Sequence, residues 1–233
     1  MKLSLGARND KLDAIRALAV ILVLGSHFGE RLSSKVFEFE NSVWNVGVTG
    51  VFIFFCVSGY VIPMTMSYLD IHLGRTASLR TFWIKRTFRL LPLYIVLMVP
   101  AWAIFGSIYP DWIIKLQEVI STKPTLFFAS TLTFTAYFFD LPMAFGGLEW
   151  TLAYEFIFYI FCSLYILVGM PRKQLLLWAC LILVGFMVLG PERFEGSRKF
   201  FLMMSFFLFG LTTYLWNSGS LGTLHFTAAS SLI

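Results

Sequence analysis

Two groups of ionisable residues stand where an apolar environment makes them expensive, and a third stands just before an apolar block. The first is Asp13, Arg16 and His27, all within one apolar block from about Leu12 to Phe28. At 100° per helical residue, the eleven-residue step from Arg16 to His27 returns to within about 20° of the same face. Asp13 precedes Arg16 by three positions and can pair with it. One face of this segment is therefore polar, with Arg16 and His27 separated by about 16 Å along the axis. The second group is Glu155, which lies one and a half turns inside a later apolar block, beyond Glu149. A carboxylate at that depth marks a functional site by default, with His27 or Arg16 as partner. The third group is Arg86 and Arg89, spaced i,i+3 so that both can grip one phosphate group bidentately.

Each group also has a plainer reading. His27 suits an interfacial histidine at a helix end. Arg16 suits an arginine that snorkels to the headgroups beside a local partner. Glu155 suits a structural ion pair that sets helix packing. Arg86 and Arg89, in the run Lys85-Arg86-Thr87-Phe88-Arg89, suit anchors on anionic lipid.

The elements that must position these groups follow from composition. Of 233 residues, 58% are hydrophobic and only 13% charged, with a mean hydropathy of +0.77. Soluble domains carry about 25% charged residues, so a soluble enzyme is excluded, as are disordered and disulfide-stapled chains. Cys56, Cys162 and Cys180 sit inside apolar blocks without a CxxC pair and read as small buried hydrophobes. The net charge of +5 is not arranged as a nucleic-acid patch, and no nucleic-acid partner is expected. It fits the lysine and arginine excess of cytoplasmic loops. No metal site is expected.

The apolar blocks run at about 12–28, 44–68, 90–108, 125–139, 148–168, 175–189 and 200–216. They predict an all-α, polytopic transmembrane helix bundle of about seven spans. The first block has basic flanks like a signal peptide, but its internal charges and the lack of an A-x-A site favour a retained helix. Residues 109–124 read as an interfacial amphipathic helix. The block at 125–139 fits a thin span or a re-entrant piece. With the N-terminus inside, lysine and arginine divide eleven to six between inner and outer loops if 125–139 crosses, and ten to seven if it does not. In the second block, Gly47, Gly50 and Gly59 are small positions suited to close helix approach. Ser58 has neither a nucleophile elbow nor a base nearby in sequence.

At these residues the chain resembles acyltransferase family 3, the integral-membrane O-acyltransferases that modify bacterial surface glycans. Leu12-Asp13-Ala14-Ile15-Arg16, then ten residues and His27, resembles that family's LDxxR opening with its Arg-x10-His spacing. The run from Gly50 to Tyr60 resembles its GxFFxxSGY-type pattern. Arg86 to Tyr94 resembles its RxxRxxPxY motif, and Trp150 to Tyr159 its WSLxxExxFY motif, with Thr151 in place of the usual serine. The four occur in order over residues 12–159. Members of the family are longer and carry more spans. The resemblance therefore implies a single acyltransferase-3-like membrane domain over 1–233, matching the N-terminal two-thirds of a member and C-terminally incomplete.

The resemblance implies transfer of an acyl group, acetyl above all, from acyl-CoA as donor substrate to a hydroxyl of a glycan or lipid-linked sugar. No permanently bound cofactor is implied. Histidine, with a pKa near 6.5, suits the general base that a sugar hydroxyl needs, which is the role given to His27. Glu155 orients the imidazole or stabilises charge, and Arg16 stabilises the oxyanion or holds the donor's polar arm. Arg86 and Arg89 bind the CoA phosphates at the cytoplasmic mouth. An acyl-histidine intermediate is the other route. The expected location is the bacterial cytoplasmic membrane, with the N-terminus cytoplasmic. A transporter or proton-coupled carrier is the competing class; it would show inverted repeats, and none is found. An inactive remnant is the third reading.

Overall fold

The computed structural model describes residues 10–36, 40–108, 110–139, 141–143, 150–169 and 195–221. Every regular element among them is helical. They are α1 (Asp10–Val36), α2 (Glu40–Leu73), α3 (Arg75–Ile108), α4 (Pro110–Thr122), α5 (Pro124–Leu132), a 3-10 turn (Ala136–Phe139), α6 (Trp150–Val168) and α7 (Glu195–Asn217). Val46–Leu73, Trp150–Val168 and Phe200–Asn217 are each long and apolar enough to cross a membrane. The expected membrane helix bundle is the architecture observed. The expected span at 175–189, with Cys180, lies outside the described residues, as does Glu149.

The chain forms two compact units, Met1–Tyr68 with Val168–Ile233, and Leu69–Leu167. In the first, α1 turns Ala19 and Ser26 inward, while Ile15, Leu18, Ile21 and Leu24 form an exposed apolar stripe suited to lipid. Its inner face meets α2 at the small positions. A Cβ added at Gly50 would come within 2.7 Å of the Ala19 carbonyl oxygen. The α2–α7 crossing is tighter still. A Cβ at Gly59 would lie 2.1 Å from the Phe207 carbonyl oxygen, and one at Gly210 would lie 2.0 Å from that of Cys56. Two glycines on opposite helices thus let the backbones touch, the packing that lipid favours because apolar burial cannot drive helices together there. Stacked rings flank the crossing, Phe52 on Phe206 at 4.1 Å and Phe55 on Phe207 at 4.5 Å. The Asn217 amide closes one end by donating to the Tyr60 hydroxyl at 2.7 Å.

In the second unit, Gly74 adopts a left-handed φ of 76° between α2 and α3, a conformation that side chains resist. Helix α3 carries Pro92 and Pro100 within it. Helix α4 is the amphipathic piece expected over 109–124: it buries Leu116 and exposes Asp111, Lys115 and Glu118. It packs between α3 and α5.

The block at 125–139 is not one continuous span. Helix α5 has nine residues, about 14 Å at 1.5 Å each, against a hydrocarbon core of about 30 Å. It stops at Thr133 and Phe134, the latter at φ 55°, and the chain continues as the short 3-10 turn. Irregular backbone of this kind is tolerated at membrane depth only where protein or a wet cavity covers it. Here Phe134 is buried, its ring edge-on to Tyr94 at 5.1 Å.

Candidate active site

The best-defined cluster of sequence-predicted residues lies along the seam between α3 and α6. At one end the Arg75 guanidinium donates to the Leu167 carbonyl at 3.4 Å. Two turns on, the Trp83 indole N–H donates to Ser163 Oγ at 3.1 Å. Next, the Arg86 guanidinium lies over the Tyr159 ring at 5.2 Å and the Phe82 ring at 5.5 Å. Beyond it, Leu90, Leu91 and Tyr94 join Leu152, Phe156 and Phe134 in one apolar cluster. Numbers rise along α3 as they fall along α6, so the two helices are antiparallel.

That register has two consequences. First, the end of α3 and the start of α6 lie at the same end of the seam. If α3 and α6 both cross a membrane, Ile108 and Trp150 then face the same side, as in the ten-to-seven division of basic residues. Cysteines at Lys115→Cys and Leu141→Cys, each alone in a cysteine-free background, are expected to react with an impermeant maleimide from the same side of the membrane. Labelling from opposite sides would show that 125–139 crosses after all.

Second, Arg86 packs beside α6, over the ring of Tyr159. Helix α6 has 19 residues, about 28 Å, which matches the hydrocarbon core. Tyr159 is its tenth residue, so Arg86 packs against the middle of this helix. A half-buried guanidinium needs compensation for its lost hydration. Two aromatic faces supply part of it, with cation–π contacts worth about 2 kcal/mol when desolvated. Arg86 is half-buried; Arg89, one turn further along α3, is exposed.

Glu155 is buried at 6% exposure. It accepts a hydrogen bond from the Tyr159 hydroxyl, one turn on in the same helix. Tyr159 is fixed in turn. Its ring meets Phe82 edge-on at 5.4 Å and Trp83 at 6.1 Å, while Arg86 covers its face. Two residues assigned to different tasks by sequence, Arg86 and Glu155, thus share Tyr159. The sequence placed that tyrosine at the end of a motif but gave it no role; the signal available was its i,i+4 spacing from Glu155. Toward the start of α6, Tyr154 is hydrogen-bonded to Tyr137 and meets Trp150 edge-on at 5.8 Å.

The remaining site residues belong to the first unit. Arg16 pairs with Asp13 at 3.7 Å, the i,i+3 contact expected from spacing. Both side chains keep partial exposure, at 27% and 38%, so this pair by itself is worth at most about 1 kcal/mol. His27 lies within α1, and its side chain is outside the described residues.

Three sets of similarities bear on what this arrangement does. The acyltransferase domain model matches residues 9–232, a stretch that includes all five residues named as candidates. Among curated proteins, the peptidoglycan O-acetyltransferase OatA of Listeria monocytogenes is 31% identical over 164 residues, covering 67% of this chain and 24% of that protein. YrhL of Bacillus subtilis, named as a candidate peptidoglycan O-acetyltransferase, is 33% identical over 174 residues, covering 68% and 24%. A candidate O-acetyltransferase of Staphylococcus aureus is 31% identical over 157 residues, covering 64% and 23%. The match thus spans about a quarter of the length of these relatives. No solved structure matches the chain at a significant level.

Proposed function

Because this chain belongs to the acyltransferase domain family, we propose that it is a membrane-bound O-acyltransferase that moves an acetyl group from acetyl-CoA to a hydroxyl of a cell-wall glycan. The observation that carries the reading is the extent of the family match, which takes in His27, Arg16, Arg86, Arg89 and Glu155 together. Peptidoglycan is the acceptor class that the names of two relatives suggest. The protein sits in the bacterial cytoplasmic membrane with its N-terminus inside, a placement supported by the excess of lysine and arginine on that side.

In this orientation α3 starts at the cytoplasmic face. Arg75, Arg86 and Arg89 then climb beside α6 toward the level of Glu155. The donor's phosphates are held by Arg86 and Arg89 at the cytoplasmic mouth. The pantetheine arm carries the thioester further, toward the outer half. There His27 takes the proton of the acceptor hydroxyl as its oxygen attacks the thioester carbonyl carbon. Arg16 stabilises the oxyanion that forms. The C–S bond then breaks, the ester is released, and the CoA thiolate takes the proton back from the imidazolium. Glu155 stabilises charge that develops during the transfer. No group other than donor and acceptor is consumed.

The test is transfer of radiolabelled acetyl from acetyl-CoA to peptidoglycan fragments by the purified chain in proteoliposomes. Expected is an alkali-labile label on the glycan that requires both donor and protein. Label no greater than in empty liposomes would reject the reading.

A further inference from the structure

We propose that Tyr159 is the positioning residue of the transfer site: its hydroxyl aims the Glu155 carboxylate, and the aromatic and cationic groups around its ring hold that aim. The inference rests on the acyl-transfer reading above and adds a residue and a task to it.

A buried carboxylate acts on developing charge only if it already points there when the charge forms. Glu155 has three rotatable side-chain bonds and cannot hold one direction unaided. The Tyr159 hydroxyl supplies the restraint by donating to Glu155 Oε1 from one turn along the same helix. The ring bearing that hydroxyl has little freedom. Phe82 and Trp83 touch it edge-on, and Arg86 covers its face at 5.2 Å. Trp83 is anchored across the seam to Ser163. The restraint therefore runs from Ser163 through Trp83 to Tyr159 and on to Glu155, and it joins the basic helix α3 to the acidic residue of α6. Arg86 contributes to it whether or not a phosphate is bound. Tyr159 itself touches no reacting atom in this scheme.

Tyr159→Phe separates the positioning role from a packing role, because the ring contacts stay and only the hydroxyl is lost. Two measurements on the full chain in proteoliposomes decide the matter. The first is steady-state transfer from acetyl-CoA. Expected is a fall in kcat of about tenfold or more, since small misplacements of a working group carry such costs, with KM for acetyl-CoA nearly unchanged. The second needs no activity: the rate at which dicyclohexylcarbodiimide modifies Glu155, followed by mass spectrometry with Glu155→Gln as the blank. Release of the carboxylate from its hydroxyl partner is expected to speed this labelling severalfold. Tyr159→Leu, which also removes the ring under Arg86, should be worse in both kcat and thermal midpoint.

Wild-type kcat in Tyr159→Phe overturns the proposal. So does a lowered kcat with unchanged labelling, because the hydroxyl then acts otherwise than through Glu155. If no version transfers acetyl but labelling quickens in Tyr159→Phe, the acyl-transfer reading fails while the Tyr159–Glu155 restraint stands. If neither transfer nor altered labelling is seen, both fail.

Discussion

His27→Ala is expected to lower kcat for acetyl transfer by about 10²- to 10⁴-fold, the range that a positioned general base contributes. The fall should appear with little change in KM for acetyl-CoA, because His27 is assigned to the proton and not to the donor's phosphates. His27 lies in the interior of α1, a helix of 27 residues, and alanine is the best helix former. Helix content and thermal midpoint should therefore stay near wild type, which separates lost chemistry from lost fold. His27→Gln keeps a hydrogen-bonding side chain of similar reach but cannot accept a full proton, and it should be nearly as slow as His27→Ala. Full transfer by His27→Ala would remove the residue from the reaction and leave it an interfacial histidine.

Arg89→Glu is expected to raise KM for acetyl-CoA by about 10- to 100-fold, since a charge-assisted hydrogen bond is worth about 1.5–3 kcal/mol and the reversal adds repulsion. At saturating donor, kcat should remain close to wild type. Arg86→Glu should behave differently. It loses the same kind of phosphate contact but also uncovers the rings of Tyr159 and Phe82, so kcat should fall as KM rises. The contrast between the two arginines is the informative result. If KM for acetyl-CoA is unmoved in both, these side chains serve the membrane and not the donor.

The residues of this site were unevenly legible. Arg16 with Asp13 could be read directly, because an i,i+3 pair on one helix needs no information beyond the helix itself. The close approach at Gly50 and Gly59 was legible for a similar reason: small residues in an apolar block mark where backbones meet. Their counterpart Gly210 was not, since nothing in the block at 200–216 says which of its faces is opposed. Glu155 was conspicuous as a charge among apolar residues, yet its hydrogen-bond partner was sought on α1 and found on its own helix. Arg86 was conspicuous in a basic run, yet the rings of Phe82 and Tyr159 that it covers were not legible there. Hydropathy along one chain cannot see that another helix lies beside the basic stretch.

By itself the sequence determined the class of the molecule, the helical segments and the residues worth suspecting, because each of these depends on local composition and on a 3.6-residue period. Only the tertiary structure decided the antiparallel seam of α3 and α6, the place of Arg86 over Tyr159 and the packing of Phe82 and Trp83 against that ring. The physical reason is that these depend on contacts such as Trp83 with Ser163 and Arg75 with Leu167, 80 and 92 residues apart in sequence. How far one helix slides past another is set by which side chains interlock, and no pattern within either helix specifies that offset.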